Sequence, residues 1–119
     1  MGRPDLFYVQ EKMFQAIDCL ASDADLAVRL EYASDFVMCI QIDHFPKSED
    51  GKRQLAKFIT IRDRLLAAGV ATSELAIAKL TEEQQLELSH SIVGLAFDVM
   101  GFIGQRVPPR ATPHLKVVK

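Results

Sequence analysis

Residues 81–105 read TEEQQLELSHSIVGLAFDVMGFIGQ. Apolar residues recur here at spacings of three and four without sustained strict alternation, which marks an α-helix. Thr81-Glu82-Glu83-Gln84 has the Thr-x-x-Gln form of a capping box, so the helix is expected to begin at Glu82 and run to about Gln105. On a wheel at about 100° per residue, its apolar side chains from Leu86 to Ile103 span about 220°, more than the stripe one surface helix has to bury. The remaining wedge holds Glu87, His90, Ser91, Gly94, Asp98, Gly101 and Gln105, and its two glycines would admit a second backbone at close range. Such a helix is either the centre of its own bundle or a contact for another chain.

The same periodicity governs the sequence upstream. A first helix is expected from about Asp5 to Cys19, with Leu6, Val9, Met13, Ala16, Ile17 and Leu20 on one face. Ser22-Asp23-Ala24-Asp25 offers an N-cap oxygen and acids for a positive helix end. A second helix follows to about Asp43, its main stripe being Leu26, Leu30, Ala33, Val37 and Ile40. Pro46 disfavours helix at Phe45, which places a short loop over 44–48. Ser48-Glu49-Asp50 then caps a third helix that runs to about Ala68, and Gly69 suits the left-handed stop that ends it. Residues 73–80 read as a short helix capped by Ser73. The stretch from Arg106 to Lys119, with Pro108, Pro109 and Pro113, four bases and no acid, reads as an extended or mobile tail.

The expected fold is all-α: a four-helix antiparallel bundle with an additional short helix and an extended C-terminal tail. Residues 1–106 form one domain in this reading and 107–119 the tail.

Composition narrows the function classes. The chain has 119 residues with 14 Lys and Arg against 16 Asp and Glu, a net charge of −2 that provides no overall basic field for nucleic acid or anionic lipid. Its longest stretch free of Asp, Glu, Lys and Arg, from Leu88 to Phe97, is much shorter than the roughly eighteen residues a spanning helix needs. No export or myristoylation signal is legible in Met1-Gly2-Arg3-Pro4-Asp5-Leu6, so a cytoplasmic location is expected. The two cysteines, Cys19 and Cys39, form no metal-binding pattern. Across a helical hairpin they lie about 20 Å apart, too far for a disulfide.

Two sets of candidate residues follow. Opposite its main stripe the second helix carries Val28, Tyr32, Asp35, Cys39 and Ile42 at a three-four spacing of their own. That seam is either a second core face or an interface, with Val28, Tyr32, Cys39 and Ile42 as the contacts. Arg62 starts from the apolar stripe of the third helix and needs an acceptor. If the second and third helices pair about Phe45 and Pro46, Glu31 comes level with Arg62 and Asp35 with Lys57. The second helix is acidic, with Asp23, Asp25, Glu31, Asp35 and Asp43 around it, and the third is rich in bases, so mutual attraction is expected.

No catalytic or metal site emerges. Glu87-x-x-His90 is a single copy of a unit that di-iron bundles use twice, and Ser89 and Ser91 point away from His90. His44, at the expected end of the second helix, is explained by the helix dipole. No cofactor and no nucleic acid or membrane partner is expected. The sequence therefore points to a protein acting by association, as a homodimer or as an adaptor, immunity-like or regulatory partner. The alternative is a small-molecule binding protein with an anionic-ligand pocket between helices near Arg62, closed by Arg62, Tyr32 and Asp98.

Overall fold

The computed structural model describes residues 4–69 and 77–104. The chain is all-helical, with four α-helices and no strand among the described residues: α1 Leu6–Leu20, α2 Leu26–Val37, α3 Glu49–Ala67 and α4 Glu82–Gly104. Two 3-10 turns, Ile42–His44 and Ile77–Lys79, precede α3 and α4. Residues 73–76 of the expected 73–80 helix, and the tail beyond Gln105, lie outside the described residues, and Ile77–Lys79 form a 3-10 turn in place of α-helix.

Local chemistry sets most helix ends. Asp5 caps α1, its carboxylate accepting from the Tyr8 amide at 3.0 Å. Ser48 caps α3 by accepting from Gly51 N at 3.1 Å, and Gly69, at φ 90°, ends that helix. The capping box at α4 forms in both directions: Gln84 N donates to Thr81 Oγ1 at 3.1 Å and Thr81 N to Gln84 Oε1 at 2.9 Å. At α2 the expectation fails, because Asp25 occupies the N-cap position without a side-chain bond. Arg29 works there instead, donating to the Ala24 and Leu20 carbonyls, each at 2.8 Å, and so tying the start of α2 to the end of α1.

The second helix also ends six residues early, at Val37 rather than Asp43. After it the chain tightens, with Cys39 N bonded to Phe36 O and Ile40 N to Val37 O, and Gln41 is extended. Tertiary structure overrides the helical pattern at this point. The His44 carbonyl accepts from Asp5 N at 2.8 Å, and the His44 ring lies 4.6 Å from that of Tyr8, so the segment is drawn back to the start of α1. His44 Nδ1 accepts from Gln41 N at 3.0 Å, a capping role in place of the expected charge–dipole one.

α2 packs on α1, α1 on α4 and α4 on α3, with α2 also touching α4 and the turn at Ile77–Lys79. α2 and α3 make no more than marginal contact. The core is continuous through Val9 and Met13 of α1, Leu30 and Val37 of α2, Phe58 and Leu65 of α3, and Ile92, Leu95 and Val99 of α4, with Ile77 and Phe45 closing it. Each of these is at most 3% exposed, as an apolar core requires.

Candidate association surface

Two glutamines fix the flanks of α4. The wholly buried Gln54 of α3 donates to the Asp98 carbonyl at 3.2 Å, and half-buried Gln10 of α1 donates to the Val99 carbonyl at 3.3 Å. α3 therefore lies along the flank of α4 that carries Asp98, and α1 along the other, which carries Val93 and Met100. On α1, Gln10 stands about 90° from the buried stripe of Val9, Met13, Ala16 and Leu20, and Phe7 and Phe14 come next, further toward the outside. On α4, Phe97 comes next beyond Met100 in the same sense. The outer side of the α1–α4 pair thus displays Phe7, Phe14 and Phe97, which are 75%, 58% and 71% exposed. Met100 extends the patch along α4, and Leu86 is exposed about three turns before Phe97.

Its surroundings are acidic. Glu11 and Asp18 of α1 are exposed beside Phe7 and Phe14, and α4 contains neither Lys nor Arg; Glu83 and Glu87 lie about three to four turns before Phe97, Glu87 in the cleft toward α3 beside Arg64. Lys12, the single base of α1, points to the opposite flank, over the rings of Tyr8 and Phe36 at 5.3 and 5.7 Å. Gly101 continues this outer face of α4 and Gly94 lines the cleft toward α3; a Cβ at either position would meet nothing within 4 Å.

Asp98 belongs to a different arrangement. Its carboxylate accepts from Arg53 at 3.0 Å and from Lys57 at 2.5 Å, while Arg53 also holds Asp50 at 2.6 Å. These hydrogen bonds, the one from Arg53 foremost, hold the Asp98 carboxyl below its ordinary range. Arg53 and Lys57 of α3 are therefore paired with α4, not with α2 as the charge pattern suggests. The expected Asp35–Lys57 and Glu31–Arg62 pairs fail for the same reason: they presuppose a packed α2–α3 hairpin.

Arg62, Tyr32 and Asp98 are not brought together. Arg62 is about two turns of α3 away from the level of Asp98. Its guanidinium lies 5.8 Å from the Phe58 ring centre and 3.9 Å from Asp63, and its Nε is buried without a partner. Tyr32 is 58% exposed on the outside of α2. The open clefts between α3 and α4, of about 400 Å³ beside Arg64 and Glu87 and about 290 Å³ beside Lys57 and Ser91, include none of the three.

The second seam of α2 is not core. Val28, Tyr32 and Ile42 are 37%, 58% and 42% exposed, and Cys39 is exposed with its thiol donating to Asp35 O at 3.3 Å. Because α2 stops at Val37, Cys39 and Ile42 do not continue its helical line. Glu87 and His90 are exposed, and no group of three or more His, Cys, Asp or Glu among the described residues is placed to hold a metal ion. No helix among them is long and apolar enough to cross a membrane.

The exposed phenylalanines of α1 escape the sequence reading, which follows the buried stripe. The signal present is a pair of phenylalanines seven residues apart, two helical turns, lying off that stripe. Comparison of the chain with protein-family models, with curated proteins and with solved structures gives no match.

Proposed function

We propose that this protein acts by association with another polypeptide through the outer face of α1 and α4. The observation that supports this reading is the exposure of Phe7, Phe14 and Phe97 on one side of one helix pair. Together their exposed fractions amount to about two whole phenylalanine side chains, roughly 400 Å² of apolar surface, before Met100 is added. That is about the size of the largest apolar patch on a typical monomer, and such patches often serve binding. In this proposal the four helices form a bundle in which α1 and α4 are central and α2 and α3 are not paired as an up-and-down order would have them, and the two free thiols fit a reducing, cytoplasmic setting.

The test is the double variant Phe7→Ser/Phe97→Ser in the full chain. If the rings serve docking, the melting temperature is unchanged within a few degrees while binding of an apolar fluorescent dye is lost. A large fall in melting temperature would mean that the rings belong to the fold, and the reading would be wrong.

A second reading, a homodimer across α2, draws support from the exposure of Val28, Tyr32 and Ile42. Light scattering distinguishes it: a dimer that Tyr32→Ser converts to a monomer supports it, and a single chain at all concentrations excludes it.

A further inference from the structure

Resting on the association reading above, we infer that the occupant of the α1–α4 face is a basic amphipathic helix of a partner protein. The face is formed by two helices side by side, with no sheet edge, so its complement is an element that lies along a groove with its own backbone satisfied, and an α-helix meets that condition. Phe7 and Phe14 stand two turns apart, about 10 Å along α1, and match apolar side chains at i, i+3 or i+4, and i+7 on a third helix. Gly101, one turn beyond Phe97, puts no Cβ in the path of an approaching backbone on the α4 side.

Charge selects the partner. Glu11 and Asp18 border Phe7 and Phe14 on α1, and α4 brings no Lys or Arg to this side, while the bases Arg53 and Lys57 across the ridge are already engaged by Asp50 and Asp98. A helix flanked by Lys or Arg gains attraction along its whole length. A second copy offering the same face sets acids against acids, which disfavours self-pairing at this site.

The probe is a fluorescent helical peptide of leucine and lysine, leucines at three-four spacing on one face, titrated into the full chain and read by anisotropy. A glutamate-for-lysine version serves as control. The expected result is saturable binding of the lysine peptide, weakened at least tenfold (about) by Phe97→Ser, and similarly by Phe14→Ser, left unchanged by Tyr32→Ser, and reduced by added salt. Because Phe97→Ser leaves the net charge intact, its effect separates docking from general attraction to an acidic protein.

Absence of binding, equal binding of the glutamate peptide, or indifference to Phe97→Ser would each overturn the inference. So would dimerisation that Phe97→Ser abolishes, which names a second copy as the occupant, or tighter binding of a peptide of sequence 105–119, which names the chain's own C-terminal segment. If the peptide fails while Phe7→Ser/Phe97→Ser still abolishes dye binding without unfolding, association stands and the basic helix falls.

Discussion

The first turn of α3 passes so close to the preceding loop that a Cβ at Gly51 would overlap the carbonyl oxygen of Pro46. The neighbouring atoms are backbone, so they cannot turn aside as a flexible side chain would. This contact sets the angle at which α3 leaves the 44–48 loop, and through Gln54 and Phe58 it determines how α3 meets α4 and the core.

Gly51→Ala should therefore destabilise the protein by about 2 kcal/mol or more, although alanine is ordinarily the better helix former. The melting temperature should fall by about 8 °C. Gly94→Ala, where the new methyl meets open space, should gain up to about 1 kcal/mol. Thermal unfolding of both variants checks the contrast; equal effects would mean that the loop does not approach α3 as described.

Asp98→Asn removes the shared acceptor of Arg53 and Lys57, and both bases still reach water. The cost should be about 1 kcal/mol at neutral pH. The sign of its pH dependence follows from the lowered carboxyl. The stabilisation is fully present above the ordinary aspartate range and is lost as pH falls through the lower folded-state value. In acid the melting curves of wild type and Asp98→Asn should converge, and a gap that widens there would contradict the assignment.

Arg62 keeps a buried, unpartnered Nε, with Asp63 only at the edge of ion-pair distance. Replacement by an unbranched apolar side chain removes that unsatisfied donor and retains the packing on Phe58. Arg62→Met should be neutral or stabilising by up to about 1 kcal/mol in chemical unfolding. A loss of several kcal/mol would reveal a partner that holds the guanidinium.

The two thiols should react at different rates. Burial foremost, then the nearby charges of Asp18 and Asp35, pushes the Cys19 thiol up, while Cys39 is exposed. Mass spectrometry after brief treatment with a thiol reagent near pH 8 should find Cys39 modified first. Faster labelling of Cys19 would show that the α1–α2 hairpin opens readily.

What the sequence makes legible is what is local. The Thr81–Gln84 capping box, the Ser48 cap and the Gly69 stop each depend on residues within one turn, and each appears where the pattern places it. The end of α2 depends instead on Asp5 and Tyr8, some forty residues earlier in the chain, which draw in the segment around His44. Charge pairing fails for a related reason. Lys57 and Arg53 find Asp98 because α3 lies against α4, and periodicity alone does not say which helices are neighbours. The excess apolar surface of α4 is visible in sequence. That Phe97 combines with Phe7 and Phe14 emerges only once α1 is seen beside it.

Radical footprinting of the unliganded full chain tests most directly whether this surface is open to solvent. Phe97 should be modified many times faster than Phe58, which is wholly buried, with Phe7 and Phe14 close to Phe97. Protection of Phe97 to the level of Phe58 in the isolated monomer would contradict the proposed docking face.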